Sequence, residues 1–195
     1  SGFTFILPSK RAGAFLRKEI STFVPLPIFS PDILSIEEFS ENISELSTID
    51  NTTTLFEFYT AYKEITPQES IENFETFSNW AQTLIHDFNE IDRYLIPPDA
   101  IFNYLSEIQD LTHWSLSTEK TDLVQNYLAF WKKLPLYYQK LKENLLKKEQ
   151  GYQGLVYRQA AEKIEKFADS KALNFIFIGF NALNKAEQQI IQNML

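Results

Sequence analysis

The chain has no cysteine and only two histidines, His86 and His113. Disulfides and thiolate zinc sites are therefore excluded, and two imidazoles are too few for a multi-histidine metal centre. Glycine is scarce too, with 5 in 195 residues, and none opens a run ending in Gly-Lys-Ser or Gly-Lys-Thr. A phosphate-binding loop needs such a run, because backbone N–H groups must approach the phosphates closely and the lysine must reach them. No apolar run approaches the roughly 18 residues that read as a membrane-spanning helix. The N-terminus also lacks the charged-then-apolar pattern of a signal peptide. These absences predict a cytoplasmic protein with no membrane partner and no cofactor of its own.

What the chain does have is aromatic residues. There are 17 Phe, 9 Tyr and 3 Trp, and hydrophobic residues reach 44%, a composition that folds and is long enough for one ordinary domain. The formal charge is −8, and its distribution is uneven. Between Ser30 and Asp110 there are 17 Asp and Glu against only Lys63 and Arg93, whereas Lys120 to Lys171 holds 11 Lys and Arg against 6 acids. A basic stretch in an acidic chain reads either as a nucleic-acid footprint or as the solvated side of helices.

Local patterns place the elements. Phe3 to Leu7 is a β-branched and aromatic run ended by Pro8, which predicts a strand. Lys10 to Phe23 follows as an amphipathic helix with Ala12, Phe15, Leu16 and Ile20 on its apolar side. Prolines break Val24 to Pro31, and a short edge strand is expected at Ile28-Phe29 or at Asp32 to Ser35. Ser35-Ile-Glu-Glu38 and Thr66-Pro-Gln-Glu69 both fit the capping box. Helices are thus predicted over 36–46, 53–65, 67–95 and 98–111. A further helix, capped at Ser117 and kinked at Pro135, is predicted to run to about Glu149. Gly151 and Gly154 then precede a helix over 155–169. Asn174 to Gly179 reads as the middle strand of a parallel sheet, and Asn184-Lys-Ala-Glu187 caps a last helix. Long connections favour parallel pairing of the first and last strands. The expected fold is α/β: one domain, 1–195, with a small parallel sheet, helix-dominated through a large α-helical insertion over about 36–170.

No catalytic constellation is evident. Asp87, Glu90 and Asp92 are close in sequence, but helical geometry separates Asp92 from Glu90, and a solvated face is the simpler reading than a metal site. His86 has no serine or cysteine partner. Trp80, Trp114 and Trp131 sit at helical spacings that suit core packing better than base stacking.

Five segments in order carry a resemblance: Phe5-Ile-Leu-Pro-Ser-Lys-Arg-Ala-Gly-Ala-Phe-Leu16, Leu34-Ser-Ile-Glu-Glu-Phe39, Trp80 with Asp87 to Leu95, Gly154-Leu-Val-Tyr-Arg158, and Phe177-Ile-Gly-Phe-Asn-Ala-Leu183. Together they resemble the N-terminal, helicase-like region of Bacteroidetes-type PD-(D/E)XK nuclease proteins, which are similar to the AddB subunit of AddAB helicase–nucleases. The resemblance implies an incomplete version of the first motor domain of superfamily 1 helicases, with the nuclease domain far downstream. It further implies single-stranded DNA contacts at Ser9, Lys10 and Arg11, and at Arg158. Where active helicases of that kind carry an Asp-Glu magnesium motif, this chain has Ile178 and Gly179, which cannot hold Mg²⁺ or orient water.

The function expected on that basis is a non-catalytic scaffold and DNA guide within a DNA repair or recombination nuclease. Its expected partners are DNA, the rest of its own polypeptide including the nuclease domain, and a helicase subunit. The competing expectation is a helical protein–protein interaction module whose acidic half, Ser30 to Asp110, docks a basic partner and has no DNA role.

Overall fold

The computed structural model describes residues 3–24, 26, 28–114, 122–170 and 174–195. Among them the fold is mixed α/β and mostly helical. Strand β1 (Phe3–Leu7) leads into α1 (Lys10–Phe23), then β2 (Asp32–Ser35) runs directly into α2 (Ile36–Ser44). Strand β3 (Ser47–Thr48), α3 (Asn51–Ile65), α4 (Phe74–Arg93), α5 (Pro98–Trp114) and α6 (Asp122–Lys147) follow. The chain then returns through β4 (Gln150–Gly151), α7 (Gln153–Ser170), β5 (Asn174–Phe177) and α8 (Lys185–Gln192).

Strands β2, β1 and β5 form one parallel sheet in that order, with Phe5 opposite Ile33 on one side and Ile176 on the other. The first and last strands are thus parallel neighbours across nearly the whole chain, as the long connection predicts. The middle strand, however, is β1 and not β5. Ile6 is completely buried while β5 lies at an edge with its first residue exposed. An apolar run of four could not distinguish the two positions.

The capping boxes at Ser35/Glu38 and Asn184/Glu187 form as expected. The one at Thr66 does not. Thr66 closes α3, a short 3₁₀ turn covers Gln68–Ser70, and α4 starts only at Phe74, capped by Asn73. The cause lies in two tyrosines. The Tyr62 hydroxyl donates to Ser70 O (3.2 Å) and accepts from Glu72 N (3.1 Å), and Tyr59 donates to Glu72 O (3.0 Å). Those bonds hold the backbone of residues 70–72 away from the helical ladder. Ser117 lies outside the described residues, and Pro135 lies inside α6, where it removes one ladder donor. Two-residue strands β3 and β4 also pair in parallel, Ser47 with Gln150 and Thr48 with Gly151, an element too short to be written in any periodicity.

Two apolar cores result. One gathers α3, α4, α6 and the start of α7 around Phe58, Phe77, Phe88, Leu141 and Leu155. The other packs α2, α7 and α8 on one face of the three-stranded sheet around Ile6, Phe39, Ala160, Ile164 and Ile190. Helix α7 contributes to both. No helix among the described residues is long and apolar enough to cross a membrane.

Candidate nucleic-acid interface

Open α/β sheets place ligand sites beyond the carboxyl ends of their strands. Here that edge begins with Pro8 and Ser9, where the chain turns from β1 into α1. Ser9 is the N-cap, extended at φ −158°, and its hydroxyl accepts from Ala12 N at 3.2 Å. Lys10 is exposed and reaches Glu38 Oε1 at 3.4 Å. Glu38 belongs to the capping box of α2, receiving Ser35 N at 2.9 Å. Its carboxyl is held below the ordinary carboxylate range chiefly by that backbone N–H; partial burial opposes this, and the Ser35 hydroxyl and Lys10 add to it. Lys10 therefore shares its charge with an acid.

Arg11 has no carboxylate partner among the described residues. Its guanidinium lies over the Phe15 ring, 5.9 Å from the centroid, within cation–π range. Phe15 is 56% exposed and not the core residue that helical spacing suggests. Lys18, one turn on, is exposed as well. Residues 11, 15 and 18 share one helix face, so α1 presents an exposed strip of cation, aromatic ring and cation. Arg17 turns the other way and donates to Ile33 O at 3.1 Å. The family resemblance names Lys10 and Arg11 and does not name Phe15 or Lys18. The structure exposes them because α1 buries little, Gly13 being its only buried residue.

The loop after β5 meets the loop after β1 at this edge. Ile178 N donates to Ile6 O at 3.0 Å, which extends the ladder by one bond. Gly179 has φ +81°, and a Cβ there would stand 3.8 Å from the Pro8 ring. Ile178 thus lies just past the end of β5, and Gly179 is a left-handed glycine.

Arg158 is not at this edge, and its expected DNA contact is corrected by its surroundings. It is buried, with Nε donating to Asp92 Oδ1 at 2.5 Å and Nη2 to Ile91 O (2.9 Å) and Ile96 O (2.7 Å). Asp92, fully buried, also receives the hydroxyls of Tyr138 (2.6 Å) and Tyr152 (2.5 Å). A guanidinium bonded in this way has its donors turned from solvent phosphate.

The same arrangement separates Asp92 from the other two acids near it. Glu90 pairs with Arg93 at 2.9 Å, and exposed Asp87 lies 3.8 Å from His86. No group of three or more His, Cys, Asp or Glu among the described residues could hold a metal ion. Trp80 packs in the first core and donates to Glu72 Oε2 at 2.8 Å, while the Trp114 side chain lies outside the described residues. The cleft beside the starts of α3 and α7, about 550 Å³, is lined by Asn51, Gln82, His86, Asn89 and Gln153 over an apolar floor.

The buried tyrosines give the molecule an alkaline limit. Burial pushes the phenols of Tyr138, Tyr152 and Tyr157 far above the ordinary tyrosine range; Asp92 adds to this for the first two, and Glu187 and Glu37 for Tyr157. Unfolded tyrosines release their protons near pH 10 or about that value. Above it the unfolded chain binds fewer protons than the folded one, so stability is full below that pH and falls as pH rises. These three of the 9 tyrosines should ionise only as the protein unfolds. Tyrosinate absorbance should then jump together with the loss of far-UV circular dichroism; smooth ionisation of every tyrosine with the helical signal intact would refute this.

A scan against protein-family models finds no match to this chain, and a search of curated proteins finds none either.

Proposed function

We propose that the chain is a non-catalytic, helicase-like scaffold that guides single-stranded DNA within a DNA-processing nuclease of the AddB-like PD-(D/E)XK type. The observation that carries this reading is the strip of Arg11, Phe15 and Lys18 on the helix leaving the carboxyl end of the central strand. Cations there suit phosphates and an exposed ring suits stacking, a combination that accepts any base sequence. The parallel order of β2, β1 and β5 is compatible with part of a helicase motor domain. DNA, a downstream nuclease domain and a helicase subunit are the partners this reading assigns. The chain turns over no ATP, because a phosphate loop is missing from its sequence and Ile178 and Gly179 stand where acids would be needed.

The acidic half is less suited to docking a basic partner than its charge count suggests. Glu57 holds Lys148 at 2.6 Å, Glu64 holds Lys140 at 2.8 Å, and Glu45 holds Lys163 at 3.2 Å. These three of its 17 acids are held by the basic half, and the DNA-guide reading is retained on the strip of α1.

Fluorescence anisotropy with labelled oligonucleotides of different sequence provides the test. Binding should be weak, given the charge of −8, sequence-independent and steeply salt-dependent. Replacing Lys10 and Arg11 together with alanine should weaken all sequences alike and flatten the salt slope by about 1.4, roughly 0.7 for each lost single-strand contact. Unchanged binding in that variant, with loss on charge reversal of Lys132, Lys133, Lys140 and Lys142, would move the site to α6 and end this assignment.

A further inference from the structure

The cleft of about 550 Å³ where α3, α4 and α7 meet has the size of a small-molecule site. Spacing builds its walls. Gln82, Ile85, His86 and Asn89 recur at intervals of three and four along α4 and so share one helix face. Asn51 stands at the start of α3 and Gln153 at the start of α7. Leu55, Ile85 and Tyr152 make a buried apolar floor. The Tyr152 hydroxyl is committed to Asp92, so the cleft meets its ring.

Among the described residues no Lys, Arg, Asp or Glu lines this cleft, although it lies largely in the acidic part of the chain. Its polar groups are amides, a hydroxyl and an imidazole. Helix starts attract anions, but here their donors are engaged: Thr53 N bonds Asp50 Oδ1 at 2.8 Å, and Gly154 N bonds Asn89 Oδ1 at 2.7 Å. A phosphate would find no cation. The side-chain amides of Asn51 and Gln82, both exposed, make no hydrogen bond among the described residues. Such a lining suits a ligand that is uncharged, flat and apolar on its faces, and edged with donors and acceptors.

We propose that the cleft binds an uncharged nucleobase, adenine above all, with the amides of Gln82 and Asn51 reading its edge and the floor of Leu55, Ile85 and Tyr152 meeting its face. A carboxamide donates to adenine N7 and accepts from N6 as a pair. Pockets for splayed bases combine such edge bonds with apolar or aromatic walls. The base arrives either on a free nucleoside or on a single strand. The site is independent of the DNA contacts of α1, since none of its lining residues belongs to α1 or to the three-stranded sheet.

The test titrates nucleosides into the whole chain by calorimetry. Adenosine should bind with a Kd of about 0.1–1 mM, and adenosine monophosphate more weakly. Gln82→Leu together with Asn51→Leu keeps apolar volume and removes both amides. That pair should weaken adenosine by about tenfold or more with the circular dichroism spectrum unchanged. Should Asn51→Leu disturb the start of α3, Gln82→Leu alone serves, with a loss of at least about fivefold. Lys10→Ala with Arg11→Ala should leave adenosine binding unchanged, so the strand-guide reading can fail while this site stands. Competition by single-stranded oligo(dA), and none by an abasic strand of equal length, would support the site with its base on a strand. Adenosine binding without such competition would support it for a free nucleoside. No binding at millimolar adenosine, tighter binding of the monophosphate, or unchanged affinity in the leucine variants would each overturn the proposal.

Discussion

Arg158→Met is expected to destabilise the protein by about 3–5 kcal/mol, the usual consequence of removing one partner from a buried ion pair. Asp92 is fully buried and accepts from Arg158, Tyr138 and Tyr152. Without the guanidinium its charge keeps two phenol donors and no counter-charge. The arginine does a second thing, because its Nη2 binds the carbonyls of Ile91 and Ile96 at the end of α4. That end closes with Leu95 at φ +53°, Leu95 N donating to Asp92 O and Ile96 N to Ile91 O. This is the arrangement usually given to glycine, so Arg158 supports a strained cap. Chemical denaturation should show a lower midpoint at unchanged slope. Adding Asp92→Asn should restore part of the loss, since no buried charge remains, and the amide can accept from one tyrosine hydroxyl and donate to the other. A loss below about 1 kcal/mol, the range of exposed pairs, would contradict the burial.

Arg158 also marks the limit of what the sequence carries. Ser35/Glu38 and Asn184/Glu187 were legible because a cap is a local event, fixed by residues three apart. Thr66 has the same spacing and fails, because Tyr59 and Tyr62 capture residues 70–72 first. The parallel pairing of β1 with β5 was legible from connection length, whereas the central place of β1 depends on which strands have neighbours. The segregation of charge was visible too, but not its resolution. Helices α3 and α6 pack together, bringing Glu64 to Lys140 and Glu57 to Lys148 just past α6, so residues from opposite halves of the chain pair. At the candidate interface, Lys10 and Arg11 could be named only through the family resemblance. Phe15 could not, since an aromatic residue at helical spacing looks the same whether its neighbour is core or solvent.

Gly154→Ala is expected to cost about 2–3 kcal/mol, although an alanine inside a helix ordinarily gains about 1 kcal/mol over glycine. Gly154 is the second residue of α7, and its N–H donates to Asn89 Oδ1 at 2.7 Å. A Cβ at this position would lie 2.3 Å from Asn89 O and 3.0 Å from Asn89 C. The obstacle is main chain near the C-terminal end of α4 and cannot swing aside as a side chain would. Helix α7 must therefore lift away from α4. One turn further along, that movement draws Arg158 off Asp92 and loosens the junction between the two cores. Asn89→Ala separates the causes. It removes the hydrogen bond but leaves the carbonyl, so it should cost only about 1 kcal/mol. The double variant should remain as unstable as Gly154→Ala or more so. If instead Asn89→Ala alone reproduces the loss and Gly154→Ala adds nothing to it, the close helix contact is not what requires glycine.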